Sequence, residues 1–191
     1  NYRLAGLLAR LLPGSRKQAP QEAGDAEDEK QPGAAHQGDI VMLGFFLNAE
    51  ALVAELEKED PDLISRFLII DYNLQNHARI HRHGLKVVYG DISNPETLRH
   101  HGVGDARVVV STISDTFLRG TTNRDLLQAV RQINPRAHFI ATVDDERAAS
   151  DLLEVGVYRA VVPPAQAAPV FREAIEDAIE SGAQDDEPEQ K

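Results

Sequence analysis

From about residue 39 onward, short apolar runs alternate with longer amphipathic stretches. The runs 40–43, 67–71, 86–89, 107–111, 138–142 and 160–162 are rich in branched residues and predict strands. Between them, 49–59, 76–83, 95–101, 122–133 and 146–155 carry apolar residues at helical spacing. In 122–133 the residues Leu126, Leu127, Val130 and Ile133 form one stripe with charges opposite. Continuously apolar strands separated by amphipathic helices imply a sheet covered on both faces. The expectation for 39–164 is therefore an α/β, Rossmann-like doubly wound sheet of about six mostly parallel strands.

The flanks follow other patterns. Residues 1–17 place Leu4, Leu7, Leu8, Leu11 and Leu12 at helical spacing among Arg3, Arg10, Arg16 and Lys17. That suits an amphipathic membrane-proximal helix, or a short helix resting on the domain surface. Residues 18–38 are Gln, Ala, Gly, Pro and acid, with Glu22, Asp25, Glu27, Asp28 and Glu29 close together, and read as a flexible acidic linker. A C-terminal helix is expected in 165–183, with Val170, Phe171, Ala174, Ile175 and Ile179 as an apolar stripe that caps the domain or packs on a partner. The acidic stretch 184–191 reads as a disordered tail.

Composition narrows the function. A net charge of -11 argues against nucleic acid as a partner, because phosphate backbones need a basic face. The absence of cysteine excludes disulfides, thiolate metal sites and a thiol nucleophile. No run approaches the roughly 18 apolar residues that span a bilayer. The chain starts without Met or a signal-peptide pattern, so it is expected to be a piece of a longer polypeptide.

The candidate chemistry lies at strand ends. The first strand runs into Gly44, the second ends on Asp71 and the third leads to Gly90-Asp91, the frame of a mononucleotide half-site. The phosphate loop should read G-x-G-x-x-G but runs Gly44-Phe45-Phe46-Leu47-Asn48-Ala49. Phe46 takes the place of the second glycine and should fill space that a pyrophosphate needs. Asp71 either binds ribose hydroxyls or caps the helix that follows. Asp91 either receives an adenine amino group or closes its own turn. Ser111 and Thr112, at the switch point, either meet ligand or bond local backbone. His77 and His81 stand at i, i+4, with His83, His100 and His101 near in sequence. Without an H-E-x-x-H arrangement they read as a solvated face, and no metal site is assigned. No G-x-S-x-G elbow, P-loop or Tyr-x-x-x-Lys pair supports catalysis, so a sensor or scaffold is favoured over an enzyme.

Gly44, Ile70-Asp71 and the run Val88 to Leu98, with its G-D-x-x-x-P-x-x-L core, together resemble the RCK amino-terminal (TrkA-N) domain. Asp105 to Ser111, Ile133 to Ala137 and Leu152 to Val157 extend the resemblance over about 39–164. The resemblance implies a cytosolic regulatory domain of a potassium (or sodium)/proton antiporter of the Kef-like type. It would lie at the cytoplasmic face of the bacterial inner membrane, joined to a membrane transport domain of the same polypeptide and paired as a homodimer. It would gate transport through nucleotide binding and dimer rearrangement, with Gly44, Phe46, Asp71, Asp91, Ser111 and Thr112 at nucleotide-contact positions. AMP or another adenine nucleotide is favoured over NAD(H), because Phe46 and Asn48 depart from the dinucleotide loop. The alternatives are an NAD(P)-dependent oxidoreductase fragment, or a dimerisation scaffold with a vestigial nucleotide site.

Overall fold

The computed structural model describes residues 38–185. The expected helix at 1–17, nearly all of the linker and the end of the tail lie outside those residues. In chain order the elements are β1 (Ile40–Leu43), α1 (Leu47–Glu59), α2 (Pro61–Ile64), β2 (Phe67–Asp71), α3 (Leu74–Arg82), β3 (Lys86–Tyr89) and α4 (Pro95–His100). They continue with β4 (Val108–Ser111), α5 (Asn123–Ile133), β5 (His138–Thr142), α6 (Glu146–Glu154), β6 (Arg159–Val161) and α7 (Pro163–Asp185). The strands form one sheet in the order β3-β2-β1-β4-β5-β6, and every neighbouring pair is parallel. This is the doubly wound sheet that the apolar pattern predicts, with its switch point between β1 and β4.

The central strands β1, β2 and β4 alternate between two cores, although their sequences are apolar almost throughout. Ile40 and Met42 point to one side with Phe67, Ile69 and residues of α1; Val41 and Leu43 point to the other with Val109 and residues of α5. Side chains on both faces are thereby removed from water, at about 25 cal/mol per Å² of apolar surface. In α1 the residues Ala49, Val53 and Leu56 are buried at i, i+4 and i+7. In α5, Leu126, Leu127 and Val130 are buried, and the helix opens on a capping box between Thr122 and Asp125.

The differences from expectation are local. The crossover from β1 to β2 contains the four-residue helix α2, started by Pro61 at its first position. The last helix begins at Pro163 rather than 165, since the opening turn of a helix needs no N–H from proline. It runs to Asp185, past the expected end at 183, with Pro169 inside it. Val170, Phe171, Ile175 and Ile179 on this helix are all exposed. Among the described residues no helix is long and apolar enough to cross a membrane.

Candidate functional site

Gly44 ends β1 with φ of 75°, a conformation costly for other residues. A Cβ there would also lie 2.3 Å from Cδ1 of Ile113. Gly90 serves β3 in a comparable way: a Cβ would come within 2.5 Å of Thr97 Cγ2. Both glycines let backbone and side chains close up around the carboxyl ends of the strands.

Asp71, at the end of β2, is buried, and its carboxylate is already engaged. Oδ2 accepts the Phe45 amide at 2.7 Å and Oδ1 accepts the Asn73 amide at 2.6 Å. Asn76 donates to the Phe45 carbonyl at 3.1 Å and to Asp71 Oδ2 at 3.3 Å. The acid thus holds the loop after β1 against the start of α3, and a ribose would share its remaining lone pairs. Helix capping itself falls to Asn73, whose side chain accepts the Gln75 amide. Asp91 is exposed and closes its own turn through Oδ1, which accepts the Ser93 amide at 2.9 Å.

Ser111 and Thr112 are buried and turned to backbone. The Thr112 hydroxyl donates to the Gly44 carbonyl at 3.2 Å, and that of Ser111 lies 3.4 Å from the Ile113 carbonyl. The Thr112 bond joins the end of β4 to that of β1 at the switch point, whereas the Ser111 bond stays within its own segment. His77 Nε2 sits 3.0 Å from the Asp71 carbonyl and His83 Nδ1 sits 2.7 Å from Glu57. Among the described residues no three His, Cys, Asp or Glu are placed to hold a metal.

The crevice over the switch point has two compartments. The first, about 230 Å³, is bordered by Asp71, Asp91, Ile92, Ile113 and Arg119. The second, about 190 Å³, lies toward the ends of β4 and β5, where Ser114, Thr142 and Asp144 border it together with Pro163 and Pro164. Phe46 and Phe117 line both compartments, with ring centroids 5.3 Å apart. Phe46, at 38% exposure, therefore stands as a divider in the crevice and is not buried in a former phosphate pocket. Phe46 is also the N-cap of α1 and provides no side-chain cap, so that helix terminus retains its affinity for an anion.

Several residues of this region escape sequence reasoning. Asn123 is fully buried and donates through Nδ2 to the carbonyls of Ile113 and Thr142 and to Asp115. It thereby ties the ends of β4 and β5 together. The Ser114 hydroxyl donates to Asp144 at 2.6 Å and the Thr116 hydroxyl at 2.9 Å. The Ser114 bond, supported by Thr116 against partial desolvation, holds the Asp144 carboxyl below the usual carboxylate range. Asp144 follows the fifth apolar run as Asp71 follows the second, and that position is the signal that could have found it.

A parallel doubly wound sheet with a crevice at its switch point defines a Rossmann-like domain. Residues 40–163 match the TrkA-N domain model, and the chain belongs to that family. It is homologous to the glutathione-regulated potassium-efflux system protein KefC of Salmonella arizonae, at 27% identity over 91% of this chain. The match covers 24% of that relative, so the chain spans about a quarter of its length. The TrkA-N domain of the inner membrane protein ybaL from Escherichia coli superposes with a TM-score of 0.59 at 16% identity, covering 74% of this chain and 98% of that one. The GsuK channel bound to NAD gives a TM-score of 0.55 at 23% identity, covering 68% of this chain and 22% of that one.

Proposed function

We propose that this chain is the cytosolic regulatory domain of a bacterial potassium (or sodium)/proton antiporter, responding to an adenine nucleotide and carrying out no chemistry itself. Membership of the TrkA-N family and homology to KefC, a potassium-efflux protein, support the transport setting. The observation that carries the ligand reading is the crevice divided by Phe46 and Phe117 at the switch point. Its first compartment offers Asp91 for a base and Asp71 beside the ribose position, and the uncapped start of α1, reached at Phe46 and bordering the second compartment through Leu47 and Asn48, is placed for one phosphate. A dinucleotide would have to part the aromatic pair, so AMP is favoured over NAD(H). The GsuK channel, which shares the fold, binds NAD.

The exposed stripe on α7 supports the homodimer. Val170, Phe171, Ile175 and Ile179 lie within one run of helix and are each at least 60% exposed; an apolar face of this kind calls for a partner. The gate then works by population shift, since ligand favours one arrangement of the dimer only as far as its affinity differs between the two. Calorimetry with AMP, ADP, ATP and NADH tests the reading, with saturable AMP binding and weaker NADH binding expected. Absence of any binding at millimolar nucleotide would leave a dimerisation scaffold with a vestigial site.

A further inference from the structure

We propose that α7 of one copy lies across the crevice of a second copy, and reciprocally, so that each nucleotide site is covered by a helix of the other subunit; the inference rests on the homodimer and crevice readings above. Twelve large apolar or aromatic side chains are exposed among the described residues, and nine of them fall in two places. Four are Val170, Phe171, Ile175 and Ile179 on α7. The other five rim the crevice. Phe46, Leu47 and Phe117 border its compartments, while Tyr72 and Tyr89 border, with Asp91 and Arg119, an adjoining open hollow of about 320 Å³. Apolar surfaces gathered in this way on a folded domain mark contacts with a partner.

The course of α7 decides which partner. Its first two residues, Pro163 and Pro164, border the second compartment, so the helix springs from the rim of the crevice. It runs for 23 residues, about 34 Å at the usual rise, and every residue from Ala168 to Ser181 is exposed. Beyond Ala167 the helix is thus an arm whose apolar face is open to a second copy. A two-fold axis that sets this arm on the rim of a second copy sets that copy's arm on the first rim, and one closed interface covers both surfaces. Covering the nine side chains removes on the order of 1,000 Å² per copy from water, above the roughly 800 Å² per partner of a stable interface. Pairing α7 with α7 would bury the stripe and leave the rim in water. At about 100° per residue, Glu173 and Glu180 lie opposite Phe171, so the seated arm turns those acids to solvent and away from Asp91 and Asp144. A nucleotide in the crevice then lies beneath the arm of the other subunit, and its binding is coupled to the dimer.

The chain has no cysteine, so introduced thiols can be joined without background. Full chains carrying Ile175→Cys and full chains carrying Leu47→Cys, mixed and treated with a short bismaleimide, should give a covalent dimer on denaturing gels. Phe171→Cys or Ile179→Cys in place of the first, and Phe117→Cys in place of the second, extend the test along the arm and the rim. In the unaltered chain, AMP affinity measured by calorimetry should fall at least about fivefold on dilution from dimer to monomer. Phe171→Asp, which borders neither compartment of its own crevice, should weaken AMP by the same factor. A solution dimer in which no arm–rim pair can be joined, self-linking of Ile175→Cys without any arm–rim product, or AMP affinity indifferent to both dilution and Phe171→Asp would each overturn the covering arm while leaving the homodimer. A chain that stays monomeric at micromolar concentration overturns the homodimer and the arm with it. Arm–rim linkage in a chain that binds no AMP would retire the nucleotide reading and keep the docking.

Discussion

The Asp71 carboxylate accepts the Phe45 amide at 2.7 Å, so the acid that ends β2 fastens the loop that follows β1. In a dinucleotide site the amides of this loop face the pyrophosphate. Here the first amide after Gly44 is already bonded, which leaves phosphate recognition to the turns further along, at the start of α1. One bond thus links the stability of the central strands' carboxyl ends to the chemistry of the crevice.

Asp71→Ala should consequently destabilise the domain as well as the site. It strips the buried Phe45 amide and the half-buried Asn73 amide of their acceptor, at about 1–3 kcal/mol for a buried group left unsatisfied. A loss of about 2–4 kcal/mol in urea-derived unfolding free energy is expected, with part recovered in Asp71→Asn, which keeps one acceptor oxygen. A loss under about 0.5 kcal/mol would show that water replaces the carboxylate without cost.

Phe46→Gly should open the crevice to larger ligands. The ring is partly exposed and pairs with the Phe117 ring at the surface of the crevice, so stability should fall by less than about 1 kcal/mol. Glycine is also an accepted N-cap for α1. NADH affinity, followed by nicotinamide fluorescence, should increase severalfold while AMP affinity stays level. If NADH binding does not improve, the divider is not what opposes the dinucleotide.

The doubly wound sheet was legible because each strand is a short apolar run bounded by polar or glycine residues, as in Phe67 to Asp71, and α5 announces itself through Leu126, Leu127 and Val130. Helix α2 was not, since four residues carry no helical period. The start of α1 was placed late because Phe46 gives none of the usual capping signals. In the site, Gly44, Asp71 and Asp91 were legible as strand-end residues. Phe117, Asn123 and Asp144 were not, because their roles arise from contacts between the loops after β4 and β5, which no local spacing encodes. Ser111 and Thr112 show the converse: their position suggested ligand contact, and burial directs their hydroxyls to backbone.

Asn123→Ala should be among the most damaging single changes in the loop region. The side chain is fully buried and its amide reaches two carbonyls and the Asp115 carboxylate. Removing it leaves the Ile113 and Thr142 carbonyls without that donor, while Asp115 keeps the backbone amide of residue 123, and opens a small void, for an expected loss of about 2–4 kcal/mol. Chemical denaturation would measure this, and slower folding with unchanged stability would contradict it.

Acid should weaken the domain partly through Asp144. Its carboxyl is held below the usual range by Ser114 first and Thr116 second. A carboxyl depressed on folding stabilises the folded state above its unfolded pKa, which is about 3.9. That contribution disappears as pH falls through the lower folded value. Asp39, depressed chiefly by its bond from Arg66, acts in the same direction. Urea midpoints measured between about pH 2 and pH 6 should therefore fall less steeply on acidification in Asp144→Asn than in the unaltered chain. Parallel curves would show that the Ser114 bond adds nothing to folding.

Phe171→Asp tests the dimer. Phe171 is 69% exposed on α7, in a stripe with Val170, Ile175 and Ile179, so a charge there costs the folded protomer little. At the centre of a subunit contact the same charge would be buried without a partner, a penalty of several kcal/mol. Light scattering should report a dimer for the unaltered chain at micromolar concentration and a monomer for the variant, with equal thermal midpoints at low concentration. Dimers that persist in Phe171→Asp would move the interface away from α7 and leave its apolar stripe for a different partner, such as the membrane transport domain proposed above for the same polypeptide.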